Sequence, residues 1–167
     1  IDAILDEGLV AHMGLVEDGH PVVIPVSYAR DGDHVLIHGS PASRLFRAYR
    51  SGGPACLTVT LLDGLVLARS GFNSSMNYRS VVLFGVMEEV TDREEKWAAL
   101  ETLTEALLPG RTEHLRPMTE KEVKATTVLR MLIDNASAKV RTGPPGVDDD
   151  DPATLGPHGP PTRGRFW

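Results

Sequence analysis

The sequence predicts a mainly β protein: an antiparallel sheet, closed or nearly closed into a barrel, with helices at its periphery. Three observations carry this. Asp-Gly pairs at Asp18-Gly19, Asp31-Gly32 and Asp63-Gly64 each separate two apolar runs, which is the chemistry of tight hairpin turns. The runs themselves are rich in Val and Thr, residues that pack well on a pleated surface. Stretches with helical periodicity are few, and many strands joined by tight turns pair antiparallel and favour a barrel.

The elements follow in order. Asp2–Glu7 reads as a short helix stopped at Gly8. Strand runs are Leu9–Glu17, Pro21–Arg30, His34–Gly39, Ala55–Leu62, Leu65–Ser70 and Ser80–Val90. Between the third and fourth lies a short helix with Leu45, Ala48 and Tyr49 on one face, Ser40 as its N-cap and Pro41 at its first position. Asp92–Leu108 carries Trp97, Leu100, Leu103, Ala106 and Leu107 at helical spacing. Thr91 with Glu94 has the form of a capping box, and Pro109-Gly110 ends the helix. Thr119 with Glu122 opens a second helix through about Leu129, and Met131–Arg141 is a last strand. Residues 1–147 form the expected domain. Residues 148–167 are an acidic tail rich in Pro and Gly, expected to be mobile or to lie on a partner.

Composition narrows the function. The 167 residues suit one domain with a real core. The net charge of -6 argues against nucleic acid. No apolar run reaches the length that crosses a bilayer. Ile1–Val10 carries acids among its apolar positions, unlike a signal peptide, and Cys56 is the single cysteine. The expected compartment is therefore the reducing cytoplasm. There is no HExxH, zinc cysteine pair, GxSxG or P-loop lysine motif, and the six histidines have no metal-like spacing.

Three segments carry candidate chemistry. In Ile37–Leu45 a strand ends at His38-Gly39 and Ser40-Pro41 opens a helix. Unpaired N–H groups there, with the Ser43 hydroxyl and the Arg44 cation, suit a phosphate. On this segment alone an ordinary capped helix with a surface arginine is the better reading, since helix caps are common. Leu67–Val81 is a polar linker whose Asn, Ser, Tyr and Arg side chains donate hydrogen bonds. By itself it is better read as a solvated loop. In Ser137–Pro145, Lys139 and Arg141 alternate with Ala138 and Val140 and share one side of a strand, as on any charged face.

Taken in order, Pro25-Val26-Ser27-Tyr28, His38-Gly39-Ser40, Ser43-Arg44-Leu45, Asn77-Tyr78-Arg79-Ser80-Val81 and Lys139–Pro145 resemble the pyridoxamine 5′-phosphate oxidase-like FMN-binding split barrels, in particular the nitroimidazole-resistance-type, flavin-nucleotide-binding branch. The resemblance runs from about Ile4 to Pro145. It implies a six-stranded antiparallel split barrel that forms a homodimer with FMN in the interface. Ser40, Ser43 and Arg44, after Gly39, match the phosphate grip. The backbone of Pro25, Val26, Ser27 and Tyr28 matches the strand along the flavin ring. Asn77, Tyr78, Arg79 and Ser80 match the segment given by the partner copy. Lys139 and Arg141 match residues that close the site near the ring. His38 matches a histidine beside ring and substrate, a catalytic proton carrier. The paired Arg-Lys grip of the vitamin B6 oxidases reads Ser43-Arg44 here, so oxidation of that vitamin is not implied.

The resulting expectation is an FMN-dependent oxidoreductase of unassigned small-molecule substrate. The flavin would supply electron chemistry, and Lys139 or Arg141 would favour negative charge on it. Three other readings fit the same residues. One is a flavin-binding module without turnover. Another is use of the deazaflavin F420. The third is a haem protein with His12, His34 or His38 as axial ligand.

Overall fold

The structure, a computed structural model, describes residues 1–50 and 52–146. The expected tail, 148–167, lies outside these residues. The order is α1 (Asp2–Glu7), β1 (Val10–Glu17), β2 (His20–Asp31), β3 (His34–Gly39), α2 (Arg44–Tyr49), β4 (Pro54–Val66), β5 (Ser75–Val86), β6 (Glu88–Glu89), α3 (Arg93–Leu107), a 3-10 turn (Thr112–His114), α4 (Glu120–Ala125), β7 (Thr127–Leu132) and β8 (Asn135–Arg141). The strands hydrogen-bond in the order β6-β7-β3-β2-β1-β4-β5-β8. The mainly β, antiparallel split-barrel class holds. The strands number eight rather than six, because Glu88–Glu89 pairs with β7 and the chain turns once more before β8.

The described chain forms two compact units. The first comprises Ile1–Val59 and Val81–Ser137; the second comprises Thr60–Ser80 and, among the described residues, 138–146. In the first, strand alternation sends Ala11, Met13 and Leu15 inward, where they are buried with Val35, Ile37, Leu57, Val59, Val81, Leu83, Leu129 and Met131. Each fully buried aliphatic side chain contributes roughly 1.5–3 kcal/mol. A second cluster joins Leu100 and Leu103 of α3 and Val123 of α4 to Ala29, Leu36 and Val128 on the strands. The Tyr28 hydroxyl donates to the Leu5 carbonyl at 2.6 Å and ties α1 to β2. Burial, and then the Asp6 charge, push that hydroxyl up to about 12.

Several local expectations change. Asp63-Gly64 does not turn: β4 runs through it, and Leu65–Ser70 is no separate strand. Asp63 accepts from Arg79 at 2.7 Å, a partner that suits an extended strand. The segment expected as a linker is partly strand, since β5 begins at Ser75 and contains Asn77–Ser80. The second helix stops at Ala125 rather than Leu129, because Val128 and Leu129 pair with His38 and Ile37. Met131 lies inside β7, which ends at Leu132, instead of opening the last strand, which begins at Asn135. Asp92, not Thr91, caps α3, accepting from the Glu94 and Glu95 amides. The Thr119–Glu122 capping box forms as expected.

Candidate functional site

The expected site residues fall into two groups, one in each unit. In the first unit β2 carries Pro25, Val26, Ser27 and Tyr28, with Tyr28 paired to Ile37 of β3. The Tyr28 side chain is buried and its hydroxyl is engaged with the Leu5 carbonyl. Pro25 is exposed and Ser27 half-buried. His38 and Gly39 end β3, opposite Val128 and Thr127.

Gly39 has a packing reason. A Cβ there would meet Cε2 of Phe46 at 2.3 Å, so glycine lets the first turn of α2 close onto the strand end. The linker between them corrects one expectation. Ser40 does not cap the helix: its carbonyl accepts from the Ser43 amide at 2.9 Å and its hydroxyl from the Ala42 amide at 3.2 Å. A turn forms first, because Pro41 and Ala42 close it before helical geometry begins. Ser43 is the N-cap of α2, and its hydroxyl makes no capping bond.

Arg44 opens α2 and pairs with Glu17 of β1 at 3.1 Å. Glu17 is a neighbour that no local pattern signals, since it comes from a different hairpin. His38 is half-buried. Its Nδ1 is buried without a hydrogen-bond partner among the described residues. Burial lowers its pKa and keeps the imidazole neutral near pH 7. An orphaned nitrogen of this kind is costly unless another group satisfies it.

In the second unit the expected residues are brought into contact. Arg141 donates to the Asn77 side-chain oxygen at 2.9 Å and to the Met76 carbonyl at 3.2 Å. Asn77 in turn donates to the Gly143 carbonyl at 3.0 Å. The Lys139 ammonium stands 5.8 Å from the centre of the Tyr78 ring. Arg79 grips Asp63 with two nitrogens. Ser80 is half-buried. The two segments that the sequence presents as separate, 77–80 and 139–141, are therefore one structural entity. The spacing of the sequence hides this, because β5 and β8 meet only through the sheet.

A shallow depression beside the end of α3 is lined by Glu101, Glu105 and Glu113. Its acidic lining is unsuited to a phosphate. Among the described residues no cluster of three or more His, Cys, Asp or Glu side chains is arranged to hold a metal ion.

The family model for pyridoxamine 5′-phosphate oxidase matches residues 1–140. The chain belongs to this family, a group of flavin-binding split barrels. Among solved structures it is similar to the FAD and haem binding protein from Mycobacterium smegmatis, with 45% identity over 95% of this chain and 78% of that one, and a TM-score of 0.89. It is also similar to a flavocytochrome from Azotobacter vinelandii, with 45% identity over 99% of this chain and 78% of that one, and a TM-score of 0.87. A protein assigned to 5-nitroimidazole antibiotic resistance, from Bacteroides thetaiotaomicron, shares the fold at 21% identity, covering 83% and 80% of the two chains, with a TM-score of 0.69. No curated protein sequence matches the chain.

Proposed function

We propose that this chain is a flavin-nucleotide redox protein that works as a homodimer and carries haem beside the flavin. The observation that carries the reading is the 45% identity, over 95% of the chain, to a protein that binds FAD and haem. That relative favours FAD over FMN as the flavin, and it makes haem an addition to the flavin rather than an alternative.

The chain's own residues fit a flavin nucleotide. At the strand–helix junction the Ser43 hydroxyl, which makes no capping bond, and the Arg44 guanidinium are the donors for a phosphate, since the Ala42 and Ser43 amides already donate to Ser40. The strand Pro25–Tyr28 would lie along the ring through its backbone. His38 presents a neutral imidazole whose buried Nδ1 lacks a partner, a position suited to exchanging a proton with the ring or substrate. Bound flavin would supply the electron chemistry. In the homodimer, Asn77–Ser80 of the second copy would complete the site, and Lys139 and Arg141 would come with them because they are already bonded to that segment. The exposed apolar side chains of the second unit, Leu65, Leu67, Phe72 and Met76, suit burial against a partner.

The test is the visible spectrum of the purified protein, with mass identification of any released cofactor and steady-state reduction by NAD(P)H with a quinone acceptor. The expected result is flavin absorption, release of FAD, and turnover. A colourless chain that takes up neither FAD nor FMN on addition overturns the reading. Release of FMN alone returns the flavin to the form that the sequence resemblance names. Bound flavin without turnover makes the chain a carrier.

A further inference from the structure

We infer that the homodimer forms by packing the outward face of the β2-β1-β4-β5 sheet against the same face of a second copy. The inference rests on the proposal that the chain works as a homodimer, and it names the surface that joins the copies. A two-fold dimer buries one patch against itself, so that patch must complement itself in charge and in shape. This face meets both conditions.

Alternation along β1 turns Ala11, Met13 and Leu15 inward and Val10, His12, Gly14 and Val16 outward. Register places Pro21, Val23, Pro25 and Ser27 of β2 on the outward side, with Cys56 and Thr58 of β4. β5 follows β4 in the sheet. Its Val81 and Leu83 are buried, so Val82, Phe84 and Val86 turn outward. All of these residues belong to the first unit. Val16 and Val23 are 73% and 64% exposed, and Val10, Phe84 and Val86 are about half exposed. A solvent-facing sheet surface is normally polar. Here no Asp, Glu, Lys or Arg stands at any of these outward positions.

Charge and area select the occupant. The chain has a net charge of -6, so two copies repel unless they meet where neither carries charge. The centres of protein interfaces are depleted of charged residues in the same way. A cofactor that bears phosphate or carboxylate groups calls instead for a hollow with cations in it, and these positions supply no Lys or Arg. Gly14, Ser27, Cys56 and Thr58 are small and half-buried, so they leave the face level between the larger side chains. Two sheets of matching twist pack on each other at a separation of about 10 Å. Four adjacent strands, about 4.8 Å apart, along the length of β1, about 3.3 Å per residue, span roughly 500 Å² in projection. Accessible area exceeds projected area because the side chains stand out from the plane, and a stable dimer needs about 600 Å² per copy.

The experiment is light scattering of the full chain at micromolar concentration, unmutated and as Val23→Glu, Phe84→Glu and Ala98→Glu, the last adding the same charge on the exposed side of α3. The unmutated protein and Ala98→Glu should be dimers. Val23→Glu and Phe84→Glu should be monomers with an unchanged far-ultraviolet circular dichroism spectrum, since both side chains point away from the core. Cys56 reports on the face directly: its labelling by a maleimide should be at least tenfold slower in the unmutated dimer than in the Val23→Glu monomer. A dimer that persists in both Val23→Glu and Phe84→Glu overturns the inference and leaves the homodimer proposal standing. If that persisting dimer has lost its uptake of FAD or hemin, the face belongs to a cofactor, which also overturns the inference. A dimer in which Cys56 is labelled as fast as in the monomer places the interface elsewhere. An unmutated protein that is monomeric overturns both the inference and the homodimer.

Discussion

At the scale of single residues, Arg44 has two possible acceptors. In the structure it pairs with Glu17, the two side chains being 54% and 42% exposed. Exposed pairs of this kind are worth only about 0.2–1 kcal/mol. In the proposed site, a charge-assisted bond to a flavin phosphate, worth roughly 1.5–3 kcal/mol, would outcompete it. Glu17→Gln should therefore tighten FAD or FMN binding by about two- to fivefold, whereas Arg44→Ala should weaken it. Riboflavin, which lacks the phosphate, should respond to neither. Fluorescence-quenching titration of the flavins checks all of these. His38 makes a prediction of a different kind. Its folded pKa lies below the usual 6.5 because burial disfavours the charged ring. The unfolded chain then binds more protons than the folded one between the folded pKa and 6.5, so stability rises with pH across that window and falls as pH drops below 6.5. His38→Gln should flatten this dependence, as followed by thermal melting at a series of pH values. The sequence shows Arg44 and His38 plainly. It does not show Glu17, because that contact depends on a β1 hairpin meeting α2.

The strand–turn–helix unit around Gly39 sets the next scale. Its glycine is needed for close approach, not for an unusual backbone angle. Gly39→Ala drives a methyl group into the Phe46 ring. Overpacking of this order costs about 1–3 kcal/mol. The expected outcome is a lower melting temperature together with weaker flavin binding, because α2 must move and carry Arg44 with it. Unchanged affinity in a destabilised Gly39→Ala protein would separate the packing role from the site. Turn chemistry reads well at this scale where φ is positive. Asp18 and Gly19 take φ of 50° and 78°, as a tight hairpin turn requires. Asp63-Gly64 has the same letters and no turn, because Arg79 across the sheet holds Asp63 in an extended strand. The short helix near residue 120 ends early for a similar reason: the β3 edge takes residues 127–132 into the ladder, and tertiary pairing overrides helical propensity.

For the whole molecule, the site expected to need two copies gives a direct test. Arg44→Ala and Asn77→Asp should each bind flavin poorly as pure proteins. Mixed after co-expression, they should recover part of the binding. A heterodimer keeps one site with both unmodified segments when the two segments come from different copies. Light scattering should show a dimer at micromolar concentration. Recovery absent from a mixture proven to contain heterodimers would mean that each copy binds flavin alone. No helix among the described residues is long and apolar enough to cross a membrane.

The sequence by itself determines the fold class, the order of most elements and the family. These rest on local chemistry: alternation of apolar residues, Asp-Gly turns, capping boxes, and motifs whose identity survives without coordinates. Pro25–Tyr28, His38–Arg44 and Asn77–Ser80 are readable as separate segments for the same reason. Only the tertiary structure decides what each segment touches. It joins Arg141 to Asn77 and Lys139 to Tyr78. It gives Arg44 to Glu17 and, among the described residues, leaves His38 Nδ1 without a partner. It turns His12 outward, opposite Pro25 and Thr58. Each of these depends on which strands lie side by side. That is set by burial of the whole apolar face, a non-local quantity that no window of the chain contains.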